Sequence, residues 1–127
     1  MKLRIKGNSL RLRVTQSDLT RLVTEARIED TMYFGPEERQ HLTYALEHND
    51  AAPTTHVASR PQEIAVILPS ALALAWAHGD DVGIYETVDL GPRGALQLVI
   101  EKDFACLDLS DAENADTFPN PNTAAVC

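Results

Sequence analysis

LTYALEHN at residues 42–49 and LQLVIEKD at residues 96–103 decide how this chain folds. Leucine stands over leucine, a β-capable run follows, and glutamate stands over glutamate. Each stretch follows a Gly-Pro, at 35–36 and 91–92. The offset is 54 residues, and it extends outward in both directions. Val57 falls on Leu3, Ile64 on Leu10, Val66 on Leu12, Leu68 on Val14, Trp76 on Leu22 and Val82 on Ile28. The second Gly-Pro comes into register after a two-residue adjustment. A chain that repeats its apolar pattern in this way reads as a duplicated module whose units pack against each other.

The first unit can be spelled out. LRI at 3–5 and LRLRV at 10–14 alternate apolar and basic residues, the period of a strand with one face in and one face out. Gly7-Asn8-Ser9 between them is a turn signal. Thr15 with Asp18 three residues on is a capping-box-like start to a helix striped by Leu19, Leu22, Val23 and Ala26. Strands follow at 28–34 and 42–47, with a Gly-Pro-Glu-Glu turn between. In the second unit Pro69 replaces Thr15, and its fixed φ suits a helix start. The expected fold is therefore α+β and β-rich, a pseudo-symmetric barrel or sandwich from two β-β-α-β-β halves. The halves are 1–50 and 55–103, and together they make one domain. An acidic, turn-rich tail occupies 104–127.

Composition sets the bounds. With 127 residues, 44% hydrophobic and 24% charged, the chain is one ordinary domain with enough apolar material for a core. The longest apolar run, AVILPSALALAWA, is broken by Pro69 and Ser70 and falls short of a membrane span. The N-terminus alternates charged and apolar residues and carries no signal-like apolar stretch, so the expected location is the cytoplasm. Cys106 and Cys127 make no disulfide framework, and His41, His48, His56 and His78 are scattered singly. No metal site and no cofactor are expected.

The net charge of −8 is unevenly spread. Residues 1–27 hold seven basic and two acidic side chains, and the remaining hundred hold four basic and seventeen acidic ones. If Leu3, Ile5, Leu10, Leu12 and Val14 point inward, then Lys2, Arg4, Lys6, Arg11 and Arg13 form one cationic hairpin face. That face has three readings. It is a solvated strand edge whose charges prevent aggregation, a nucleic-acid contact, or a contact for an acidic protein segment. The second helix, ALALAWA at 71–77, has no polar side and calls for a cover. A second copy of the chain, through Leu72 and Trp76, or the tail would supply it. Phe104, Leu107, Leu109 and Phe118 are the residues that would pin the tail to the body, and beyond Pro119 the tail is expected to fray.

ILPSALALAWAHGDDVGIYETV and LRIKGNSLRLRVTQSDLTRL resemble the AbrB/MazE-type swapped-hairpin proteins over residues 1–34 and 57–88. The shared features are a strand ending in Leu68-Pro69, a short helix, then Gly79-Asp80-Asp81-Val82 on the next strand. The resemblance implies a barrel that the family forms from two chains, here with both halves supplied by one chain. It also implies DNA binding through Lys2, Arg4, Lys6, Arg11 and Arg13. Three features depart from it: Ile64-Ala65-Val66-Ile67 lacks the equivalent charges, the remaining surface is acidic, and an acidic tail is available to the hairpin itself. The whole chain also resembles uncharacterised short bacterial proteins that begin MKLRIKGNSLRLR.

No phosphate-binding glycine loop and no nucleophile elbow is present. Asp80-Asp81 reads as a helix-to-strand turn in preference to a metal pair, and Cys106 has no local partner for nucleophilic chemistry. The expected function is a non-enzymatic binding module with an unidentified protein partner. The alternative is an AbrB-like DNA-binding regulator or antitoxin.

Overall fold

The computed structural model describes residues 1–105 and 115–121. Its elements run β1 (Lys2–Lys6), β2 (Ser9–Val14), α1 (Gln16–Glu25), β3 (Arg27–Tyr33), β4 (His41–Asn49), β5 (His56–Arg60), β6 (Glu63–Pro69), α2 (Ser70–His78), β7 (Gly83–Asp89) and β8 (Ala95–Lys102), with a single 3-10 turn, Gly91–Arg93, before β8. Both halves therefore have the β-β-α-β-β order that the repeat implies.

The local causes differ between the halves although the outcome is the same. The β1–β2 loop is Gly7-Asn8, with Gly7 at φ +55°, a conformation that a residue without Cβ adopts at little cost. The β5–β6 loop is Pro61-Gln62, and there the positive φ of 58° falls on Gln62. Helix α1 starts with a complete capping box. The Thr15 hydroxyl accepts from the Asp18 N–H at 3.2 Å, and the Asp18 carboxylate accepts from the Thr15 N–H at 3.0 Å. It ends at Ala26 in the left-handed region, whose N–H donates to Leu22 O. Helix α2 starts at Pro69 with no side-chain cap and ends at Gly79.

The strands form two four-stranded sheets, ordered β1-β2-β8-β7 and β3-β4-β6-β5. Each sheet takes one hairpin from each half, so the halves exchange hairpins within the chain. The central pairs β2/β8 and β4/β6 are parallel, and the outer pairs are antiparallel. The duplication holds at the level of register. Adding 54 to the pair Lys2↔Arg13 gives His56↔Ile67, and exchanging halves turns Ser9↔Gln97 into Glu63↔Thr43; both pairs occur. The shift becomes 56 in β7, where Gly83↔Glu101 repeats Arg27↔Glu47. The sheets are not closed into a barrel, so of the two architectures expected the open, layered one is realised.

One core joins both sheets and both helices. It contains Leu12 and Val14 of β2, Leu22 of α1, Leu46 of β4, Leu68 of β6, Trp76 of α2 and Ile100 of β8, all essentially buried. Helix α2 was expected to need a cover from a second copy or the tail, and in the fold its largest side chain is covered by the body itself. Trp76 is 2% exposed, and its indole N–H points at Val82 O, 3.4 Å away. Leu72 and Leu74 are half-buried, and the exposed side is Ala71, Ala75 and His78. Small alanines leave little apolar surface to hide, so Trp76 belongs to the core and offers no surface to a partner.

Residues 115–121 return to the body. Phe118 bridges to Phe104, with ring centroids 5.8 Å apart, and packs against the core. Asp116 O accepts from Gln16 N–H at 3.0 Å and its carboxylate accepts from Ser17 N–H at 3.2 Å, adding an anion to the start of α1. Leu107, Leu109, Cys106, Cys127 and the chain beyond 121 lie outside the described residues. Among those described, no helix is long and apolar enough to cross a membrane.

Candidate functional site

Strand alternation builds the site. In β1 and β2 the cross-strand pairs Lys2↔Arg13, Arg4↔Arg11 and Lys6↔Ser9 lie on one face, and Leu3↔Leu12 and Ile5↔Leu10 lie on the other. All five expected cations therefore share the outer face of the first sheet. The apolar side is less uniformly inward than the pattern implied. Leu10, Leu12 and Val14 are buried and Leu3 is half-buried, whereas Ile5, on the edge strand, is 60% exposed.

The fold adds residues to that face from the other half. β8 lies parallel to β2 and brings Val99 beside Arg11 and Glu101 beside Arg13; β7 then brings Tyr85 beside Val99. The result is an open depression of about 370 Å³ lined by Arg4, Lys6, Arg11, Tyr85 and Glu101, among others. Its rim is structured by ion pairs. Arg11 forks onto the Glu101 carboxylate, with Nε–Oε1 at 2.6 Å, and the same carboxylate accepts from the Tyr85 hydroxyl at 2.9 Å. Burial, followed by the Glu101 hydrogen bond and charge, pushes the Tyr85 phenol above its ordinary pKa, so it stays a donor. Lys2 pairs with the buried Asp103 at 2.9 Å. Arg4, Lys6 and Arg13 have no ion-pair partner among the described residues.

The duplicate supplies an internal control. The face equivalent to the cationic one carries His56↔Ile67, Ala58↔Ala65 and Arg60↔Glu63 where the first hairpin carries its cations. There, charge is cancelled. Arg27 bonds Glu29, Glu47 and Glu63, and Arg60 adds a second contact to Glu63. The Arg27 guanidinium is buried enough to lower its pKa, but its three carboxylates outweigh burial and raise it. Like charges directly opposite on adjacent strands destabilise a sheet. The first hairpin holds two such pairs, Lys2↔Arg13 and Arg4↔Arg11, and its twin holds none.

A second electrostatic centre was not legible in the sequence. The Met1 ammonium is buried against the Asp18 carboxylate at 3.0 Å and the Asp30 carboxylate at 3.2 Å. Burial lowers its pKa, but those two hydrogen-bonded carboxylates outweigh burial and raise it. Burial alone would raise Asp18, yet the Thr15 N–H, the ammonium and Arg21 hold it below the usual carboxylate range. The cations of the hairpin were readable from their period. Tyr85, Val99 and Glu101 were not, because their approach depends on which hairpins share a sheet. Asp80 and Asp81 are exposed in the α2–β7 connection, and among the described residues no three His, Cys, Asp or Glu side chains gather as a metal would require.

Neither the curated proteins nor the solved structures contain a match to this chain. A family model matches residues 1–122, and the chain belongs to that family, DUF7009, a family of unknown function.

Proposed function

We propose that the protein is a non-enzymatic binding module that takes an acidic segment of a partner protein on the outer face of β1, β2, β8 and β7. The observation that carries this is the set of Arg4, Lys6 and Arg13, which lack ion-pair partners among the described residues, beside Arg11 on one open face. Holding like charges opposite one another costs stability, and a bound anion reverses that cost. The rest of the chain is acidic. A short acidic segment meets only the local face, because charges beyond a Debye length of about 8 Å are screened at physiological salt. A DNA duplex is longer and lies along the repelling surface as well.

The second reading, a DNA contact of the AbrB-like kind, is favoured by the placement of the five cations on an N-terminal hairpin paired with a hairpin of the other half. One titration separates the two. Fluorescein-labelled polyglutamate and random duplex DNA are each followed by anisotropy at 50 and 200 mM salt. The protein is wild type or carries Arg4→Gln, Lys6→Gln and Arg13→Gln, which disturb no ion pair among the described residues. The proposal expects polyglutamate to bind and the triple variant to lose it. DNA binding through three free cations would weaken about 40-fold between those salts, from a log–log slope of about −2.7. Binding of DNA alone selects the second reading, and binding of neither removes the face as a contact surface.

A further inference from the structure

Strand β1 is an edge of its sheet, with β2 on one side and no strand on the other among the described residues. The two-residue loop Gly7-Asn8 sets which of its backbone groups are free. In such a hairpin the residues flanking the loop, Lys6 and Ser9, form a hydrogen-bonded pair, and bonded and unbonded pairs then alternate along the ladder. Lys2, Arg4 and Lys6 therefore turn their N–H and C=O groups toward β2, and Leu3 and Ile5 turn theirs away from the sheet. Among the described residues no turn, loop or cap bond uses the backbone of Leu3 or Ile5. An edge of this kind is a template for a further strand, and outward charge normally guards it. Lys2, Arg4 and Lys6 supply that charge, but Ile5, on the other face, is 60% exposed. An exposed isoleucine invites the contact that a guarded edge avoids.

The twin edge strand shows the guarded version. In β5, Ser59 stands for Ile5, Ala58 for Arg4 and His56 for Lys2. Arg60 stands for Lys6 and is neutralised by Glu63. The edge strand β3 exposes Met32 and Tyr33 but carries Glu29 and Asp30, which repel an anion. Free cations and an exposed apolar side chain thus alternate on β1 in a way that neither of these edges repeats.

We propose that the acidic partner segment binds as an added strand, antiparallel to β1, with acidic side chains opposite Arg4 and Lys6 and an apolar side chain between them opposite Ile5. This rests on the acidic-segment reading above and adds the conformation and the pattern of the partner. Directly opposed residues of an antiparallel pair share a face, so acidic residues two apart meet the cations and the residue between them meets Ile5. Backbone bonds to Leu3 and Ile5 supply affinity, and the alternation supplies selection.

The test uses the full chain and three fluorescein-labelled heptapeptides. One alternates glutamate and valine, beginning and ending with glutamate. The second holds the same residues in two blocks, and the third is the alternating peptide with N-methylated valines. Anisotropy should show the alternating peptide binding about 10-fold or more tighter than the other two, since only it makes the backbone hydrogen bonds in register. At saturation the Leu3 and Ile5 amides should exchange about 10-fold or more slower with deuterium. Ile5→Ser, which installs the twin's side chain at an exposed site, should erase most of that advantage and leave polyglutamate binding unchanged. Equal affinity of the alternating, block and N-methylated peptides, with polyglutamate still bound and still lost in the triple glutamine variant, overturns strand addition and leaves the acidic-segment reading standing. Binding of no acidic peptide removes both. Protection of the Leu3 and Ile5 amides in the free protein, rising with its concentration alongside a dimer mass, gives the edge to a second copy and also overturns the proposal.

Discussion

Replacing Arg27 by methionine tests whether the second sheet's outer face is held by its charge network. The guanidinium bonds three carboxylates, and their burial decides what each contributes. Glu29 is largely exposed, so its pair is worth little. Glu47 and Glu63 have side chains only 21% and 19% exposed, and each accepts a charge-assisted bond from Arg27. After discounting for partial solvation, two such bonds contribute about 2 kcal/mol together. Methionine keeps the packing of the stem, so the loss isolates the charge. Urea unfolding at pH 7 should therefore show a loss of about 2 kcal/mol at unchanged m-value, and the melting temperature should fall by roughly 5–8 °C. The pH dependence carries the sign. The Arg27 hydrogen bond, then that of Arg60, holds Glu63 below its ordinary pKa. Its stabilising share is present above the ordinary carboxylate value and is lost as pH falls through the folded value. In the variant, Glu47 and Glu63 lose the cation they share, and protonation relieves them. The gap between the two proteins should therefore narrow from pH 7 toward pH 4. A gap below about 0.5 kcal/mol at pH 7, or one that widens on acidification, refutes the reasoning.

Three further outcomes follow from the same structure. Trp76→Ala empties the largest buried side chain and should cost about 3–5 kcal/mol by chemical denaturation, with the two helices losing protection in hydrogen exchange. Asp18→Ala removes half of the capping box and one partner of the Met1 ammonium, and should cost about 2 kcal/mol at pH 7. Because the Asp18 pKa is depressed, that cost should vanish as pH falls through its folded value; because the ammonium's pKa is raised, the Met1 share is complete below pH 8.0 and is lost as pH rises through the folded value. Arg4→Gln relieves the opposition to Arg11 and should raise stability by about 0.5 kcal/mol in low salt, with the gain shrinking as salt is added; a loss of stability would mean that Arg4 has a structural partner.

Much of this architecture was written in local chemistry. The period of two in residues 3–5 and 10–14, the Thr15–Asp18 capping box and the turn residues each act within a few neighbours, so strands, helix and hairpins could be read in order. The 54-residue repeat and the shared face of Lys2, Arg4, Lys6, Arg11 and Arg13 were equally legible, because side-chain direction in a strand follows from parity alone. Whether the halves closed into a barrel or lay side by side, and which hairpins share a sheet, was not. That choice turns on parallel pairs such as Leu12↔Ile100 and Leu46↔Val66, whose partners are 88 and 20 residues apart and carry no turn signal. The role of Trp76 was hidden for a related reason: an all-apolar helix reads the same whether its cover comes from another chain or from its own core. The Met1–Asp18–Asp30 centre arises only when the chain start is brought beside α1 and β3. Local propensity and parity set the elements and their faces, and the free energy of burying one common core set which of those faces meet.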